Sequence, residues 1–118
     1  MALLVPGYDE GLAFFRALGW SVTADRDEGR KRWVTVAPPG GGVELLLARA
    51  DGAQAEAVGR QFGGRVGLFL HTDDFDADAA RIEAAGGAFE EAPRDEPYGR
   101  VAVWRDPWGN RWDLIAPL

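Results

Sequence analysis

The chain has 118 residues, enough for one ordinary domain with a buried core, and its 47% hydrophobic and 27% charged content is that of a globular protein. It contains no cysteine, which excludes disulfides, thiolate metal sites and a cysteine nucleophile. A formal net charge of −6 speaks against a nucleic-acid partner, because phosphate binding needs clustered Lys and Arg.

The acidic balance serves solubility or attracts cationic ligands, and the charge alone does not choose between them. The start of the chain, residues 1–6, is apolar but short and carries no basic residue. It reads as neither a signal peptide nor a membrane span, so no membrane partner and a cytoplasmic location are expected.

Read in chain order, residues 2–5 form a short apolar strand. From Tyr8 to Gly19 the pattern is helical: Asp9 and Glu10 lie in the first turn, where they complement the helix dipole. Leu12, Phe15 and Leu18 recur at helical spacing, and Gly19 supplies a left-handed stop. Strands follow over residues 20–25, 32–37 and 43–48, with a charged loop at 25–31. Residues 50–64 are polar and Gly-rich, and read as a linker with a short helix over 53–58. The second half has a strand at 66–71 and a helix from Phe75 to Gly86 built on Ala79, Ile82 and Ala85. A strand at 88–91, a Pro-containing loop at 92–97, and strands at 100–105 and 111–116 complete it.

The two halves echo each other. Both helices open aromatic-Asp (Tyr8-Asp9 and Phe75-Asp76) and end in Gly. Val34-Thr35-Val36-Ala37-Pro38-Pro39-Gly40 leads into Val43-Glu44-Leu45-Leu46, as Val103-Trp104-Arg105-Asp106-Pro107-Trp108-Gly109 leads into Trp112-Asp113-Leu114-Ile115. Pro matches Pro, Gly matches Gly, and a carboxylate followed by Leu falls at the same offset, so each stretch reads as a β-hairpin. The expectation is an α+β fold of two βαβββ modules in a single domain, with module one at 1–49, the linker at 50–64 and module two at 65–118.

Asp106 to Leu114, reading Asp-Pro-Trp-Gly-Asn-Arg-Trp-Asp-Leu, resembles the closing strand of the vicinal oxygen chelate superfamily, the glyoxalase, bleomycin-resistance and dioxygenase proteins. Tyr8-Asp9-Glu10 with Leu12-Ala13-Phe14-Phe15 and Leu18-Gly19 is similar to that family's first helix, and His71-Thr72-Asp73-Asp74-Phe75-Asp76 to its central strand-to-helix join. The resemblance implies that the modules form a cup-shaped, half-open mixed β-barrel with helices on the convex side. It also implies a ligand or metal on the concave side and pairing as a homodimer.

In the family's metalloenzymes a divalent ion is held by two first-strand residues, usually His, and two last-strand residues, usually Glu; such a set suits iron, zinc, nickel or manganese. Carried onto this sequence, the last-strand positions are Glu44 and Asp113. The first-strand position of module two falls on Gly67, which has no side chain to offer, and its counterpart in module one falls before Met1. His71, the single histidine, lies four residues beyond Gly67 on the same strand face, roughly 13 Å away, whereas a metal–nitrogen bond is about 2 Å. No metal and no cofactor are therefore expected. His71 remains a candidate catalytic base or a residue of the pocket rim. Glu44 and Asp113 remain candidates for ligand contact or for metal-free acid/base chemistry.

With Glu44 and Asp113 pointing into the cup, period two assigns the other faces. Val43, Leu45, Leu47, Val34, Val36, Leu68, Leu70, Val101, Val103, Trp112 and Leu114 are expected to face the helices. The concave face receives Trp33, Thr35, Glu44, Leu46, Phe69, His71, Arg100, Ala102, Trp104, Arg111, Asp113 and Ile115. Trp33, Phe69 and Trp104 offer flat surfaces for stacking, while Arg100 and Arg111 pair with the carboxylates or grip an anion. Trp20 and Trp108 are expected in structural or interface roles.

The leading expectation is a metal-independent binder of a small organic molecule, aromatic or cationic, similar to members of the family that sequester bleomycin or mitomycin. The alternative is a lyase, isomerase or ring-cleaving dioxygenase of the same family that uses Glu44 and Asp113.

Overall fold

Leu3 and Val5, two residues apart on the first strand, are both fully buried, and this alternation recurs along the sheets of the fold. A computed structural model describes residues 1–118. The chain divides into two compact units, Met1–Val58 and Gly59–Leu118, so the junction falls inside the segment read as a linker.

Unit one contains β1 (Ala2–Val5), α1 (Tyr8–Ala17), β2 (Ser21–Asp27), β3 (Arg32–Ala37) and β4 (Leu45–Arg49), a βαβββ order. Its sheet runs β1-β4-β3-β2, with β1 parallel to β4 and the remaining pairs antiparallel. Leu3, Val5, Val34, Val36, Leu45 and Leu47 form the buried face of this sheet. Burying each such side chain contributes about 1.5–3 kcal/mol. Helix α1 packs there through Leu12 and Phe15, and Gly11 permits close approach: a β-carbon on it would stand 3.0 Å from Leu47 Cδ1 and 3.3 Å from Val5 Cγ1. Trp20 is buried against Phe15, ring centroids 4.8 Å apart.

Unit two contains β5 (Val66–His71), α2 (Phe75–Ala84), β6 (Ala88–Phe89), β7 (Arg94–Glu96), β8 (Gly99–Arg105) and β9 (Arg111–Pro117). The sheet runs β5-β9-β8-β6, with β5 parallel to β9 and β7 pairing with β8. Asp74 caps α2 by accepting the Ala77 amide at 3.2 Å, and Thr72 Oγ1 accepts the Asp74 amide at 2.9 Å. The entry to the unit is fixed by Gly59, whose φ of +77° and contact with the Trp108 carbonyl leave no space for a β-carbon.

Several element boundaries differ from the sequence reading, and β2 runs to Asp27, into the segment read as a charged loop. Strand β4 begins at Leu45, so Val43 and Glu44 precede it, and Val43 is 52% exposed rather than packed under the helix. The segment expected as a loop at 92–97 contains β7, flanked rather than interrupted by Pro93 and Pro97, as an edge strand allows. Strand β6 stops early where the Glu91 carboxylate takes the Val103 amide at 2.8 Å in place of a main-chain acceptor, before the chain rejoins the same edge of β8, in the same direction, as β7. The linker's short helix is a 3-10 turn at Gly52–Ala57. No helix is long and apolar enough to cross a membrane.

Candidate functional site

Each sheet has a face turned away from its own helix, and on these far faces the side chains suited to ligand contact collect. In unit one, register pairs Thr35 with Leu46, Ala2 with Leu46 and Leu4 with Ala48, so these residues share the far face with Trp33. Trp33 is 39% exposed, the most accessible large apolar group of β3. Thr35 is buried, and its hydroxyl is shared with that of Thr23 at 2.6 Å across the β2 bulge. Glu44 is exposed and lies ahead of the strand rather than on it.

In unit two the far face is centred on Asp113, which lies beside Phe69 on one neighbouring strand and Val103 on the other. Ile115 follows, flanked by His71 and Val101. Phe69 is 58% exposed and His71 is exposed.

The expected phase of β8 is reversed by its register. Trp104 stands opposite Trp112, Ala102 opposite Leu114 and Arg100 opposite Ala116, which puts all three on the helix side. Trp104 is 0% exposed and stacks on Trp112 with centroids 4.8 Å apart and planes at 21°. A β-carbon on Gly87 would meet both Ile82 of the helix and Trp104. Arg100 lies over the Phe75 ring at the start of α2, 5.1 Å from its centroid. Trp104 and Arg100 therefore lie on the helix side of the sheet, not on its far face, and Val101 and Val103 take the places expected for them.

The charges on this face are arranged in pairs that leave Asp113 out. Arg111 binds the Glu90 carboxylate with two nitrogens, at 2.8 and 3.0 Å, and donates to the Gly64 carbonyl at 3.2 Å, rather than pairing with Glu44 or Asp113, one of the two roles expected for it. Arg105 reaches the same Glu90 at 2.9 Å. Arg94 is shared between Glu91 at 2.9 Å and Glu96 at 2.7 Å. Asp113 Oδ1 is buried without a hydrogen-bond partner. Desolvation raises this carboxyl above the usual aspartate range, opposed by Arg94 and Arg111 and reinforced by Glu91. Glu90 and Glu91 are shifted the other way, Glu90 chiefly by Arg111 and Glu91 chiefly by the Val103 amide.

The metal-binding set of the resembled family does not fit these residues. Gly67 forms a bulge in β5, and the Phe62 ring lies where its side chain would project: a β-carbon there would be 2.5 Å from Cδ2 and 2.6 Å from Cδ1. An imidazole at this position would collide with the ring. No group of three or more His, Asp and Glu side chains is gathered closely enough to hold an ion. Sequence reasoning missed Phe62, although it is the one large apolar residue in the polar stretch Arg60-Gln61-Phe62-Gly63-Gly64. It also missed Arg94, whose strand β7 lies in a segment read as loop, and Glu91, which was read as the last residue of a strand and not as a neighbour of Asp113.

Comparison with known proteins agrees with the fold described above. The model of the Glyoxalase/Bleomycin resistance protein/Dioxygenase superfamily matches residues 1–114. An uncharacterized protein of Shewanella frigidimarina (strain NCIMB 400) is 47% identical over 120 residues, covering 98% of this chain and 89% of its own length. Among solved structures, UcmS2 is 31% identical with a TM-score of 0.78, over 98% of this chain and 93% of the other. TnmS3, an antibiotic binding protein from Streptomyces sp. CB03234, is 34% identical with a TM-score of 0.72, over 99% of this chain and 93% of its own. The chain belongs to the Glyoxalase/Bleomycin resistance protein/Dioxygenase superfamily.

Proposed function

We propose that this protein binds a small, flat organic molecule and does so without a metal ion, in the manner of an antibiotic-sequestering member of its family. The observation that carries the reading is a large aromatic ring left accessible on each far face, Trp33 at 39% and Phe69 at 58% exposed. Stacking a planar group on such a ring is worth about 0.5–1.5 kcal/mol beyond the burial itself. The likeness to TnmS3, an antibiotic binding protein, supports the ligand class. The Phe62 ring over Gly67 supports a role that needs no ion, since it takes the place of a ligand. On this reading the ligand contacts are Trp33 and Leu46 on the far face of unit one and, separately, Phe69, His71 and Asp113 on the far face of unit two, and the protein acts as a cytoplasmic homodimer.

Intrinsic fluorescence tests the proposal directly. Trp20, Trp104 and Trp112 are buried and Trp108 is half-buried, which leaves Trp33 as the indole that a dissolved aromatic antibiotic reaches first. Titration with bleomycin or mitomycin is expected to give saturable quenching that disappears in Trp33→Leu. Binding that survives both Trp33→Leu and Phe69→Leu unchanged contradicts it.

A further inference from the structure

Asp113 is a carboxylate under the influence of two guanidinium groups, Arg94 and Arg111, both of which are committed to other carboxylates. Arg94 is held by Glu91 and Glu96, and Arg111 and Arg105 are held by Glu90. Asp113 Oδ1 has no hydrogen-bond partner although it is buried, while the residue as a whole keeps part of its surface exposed. A desolvated carboxyl oxygen without a donor is costly, and groups of this kind in native proteins call for an explanation. Its neighbour across the strand pair is Phe69, an exposed ring, and the other neighbour is the apolar Val103. The cluster holds four carboxylates, Glu90, Glu91, Glu96 and Asp113, against the three guanidiniums of Arg94, Arg105 and Arg111, so one negative charge is unmatched there.

We infer that Asp113 is the polar anchor of the unit-two face, accepting hydrogen bonds from a cationic nitrogen carried by a flat aromatic ligand that lies on Phe69. The inference rests on the small-molecule-binding reading above and narrows its ligand class from flat organic molecules to flat organic cations. A carboxyl turns readily about its terminal bond, so a donor arriving at the exposed side of Asp113 finds an oxygen whose bonding is unsatisfied. A charge-assisted bond in a partly desolvated setting is stronger than a neutral one. The aromatic edge of the site adds attraction for the same cation through its π-face. An anionic ligand would meet the unmatched carboxylate and be repelled.

Two tricyclic probes of similar shape separate the possibilities: proflavine, which is cationic at neutral pH, and acridone, which is neutral. Calorimetric titration of the full chain is expected to give proflavine at least tenfold tighter binding than acridone. Asp113→Asn, nearly isosteric, is expected to remove that preference by weakening proflavine about tenfold while leaving acridone unchanged. Phe69→Leu is expected to weaken both probes together. If Asp113→Asn binds proflavine as tightly as the parent protein, the anchor role is wrong and the binding reading stands. If neither probe binds the parent protein, the anchor role and the reading beneath it both fall.

Discussion

The Phe62 ring lies against Gly67 so closely that a β-carbon on residue 67 would stand 2.6 Å from Cδ1 of the ring. The two residues thus leave no room on β5 for the imidazole that the family's metalloenzymes usually carry at this position. Gly67→His is expected to lower stability by about 1–3 kcal/mol, the usual range for forcing extra atoms into packed space, and to gain no ion. Adding Phe62→Ala relieves part of that loss. Urea denaturation with elemental analysis checks both points, and a Gly67→His protein as stable as its parent and loaded with one divalent ion per chain would contradict them.

The fold was legible in the sequence where turn chemistry and periodicity agree. Gly19 and Gly86 end the helices, with φ of +86° and +102°, and the Pro–Gly echo marks the two hairpins. The face of β8 was not legible. Arg-Val-Ala-Val-Trp-Arg has apolar residues on both faces, and Val101, Ala102, Val103 and Trp104 are all buried, so no polar alternation reveals the phase. Only register against β9, with Trp104 opposite Trp112, decides it. The surroundings of Asp113 were hidden for a different reason. They depend on Glu91 standing in for a main-chain acceptor, a tertiary event with no local signature. Within the candidate site, Trp33, Phe69 and Asp113 could be named from alternation, but which cations were free to meet them could not.

The residues that closed the family resemblance have a structural task that is open to test. Asp106 is buried; its Oδ1 accepts the amides of Trp108, Gly109 and Asn110, each at 3.0 Å. Its Oδ2 accepts Asn110 Nδ2 at 2.9 Å and Trp112 Nε1 at 3.1 Å. Asp106→Ala removes the carboxylate from these donors, of which the Gly109 amide keeps the Asp106 carbonyl at 3.0 Å; at about 1–3 kcal/mol for each of the others that finds no water, a total loss of at least about 3 kcal/mol is expected in urea denaturation. Asp106→Asn, which keeps one acceptor oxygen, falls between parent and Ala. A loss below about 1 kcal/mol for the Ala variant would mean that the turn holds without this carboxylate.

Trp104 and Trp33 are expected to separate stability from binding. Trp104→Leu opens space beside Trp112 and Gly87 and costs about 3 kcal/mol, with ligand affinity unchanged in the fraction that remains folded. Trp33→Leu, at a partly exposed position, shifts stability by less than about 1 kcal/mol yet abolishes aromatic quenching. Thermal unfolding and fluorescence titration on the same two samples give both quantities. A reversed pattern would return β8 to the phase expected from sequence.

Acid affects Asp113 and Glu91 in opposite senses. The Asp113 carboxyl is raised by desolvation, so its charged form weakens the fold above its folded pKa and the penalty disappears below the ordinary aspartate value. Asp113→Asn should therefore be more stable than the parent at neutral pH, with the gain shrinking as the pH falls. The Glu91 carboxyl is lowered by the Val103 amide and then by Arg94, so its contribution is present above the ordinary glutamate value of about 4.3 and is lost as pH falls through its folded pKa. Glu91→Gln should be less stable than the parent at neutral pH, and the two should converge in acid. Unfolding midpoints between about pH 3 and pH 7 check both signs, and an Asp113→Asn variant that is less stable than the parent at neutral pH contradicts the first.

Calorimetric titration of chelator-treated protein with proflavine, repeated after adding zinc, nickel or manganese, tests most directly whether the far faces act without an ion. The same saturable binding is expected in every sample. Heat that appears only once a divalent metal is supplied would contradict it.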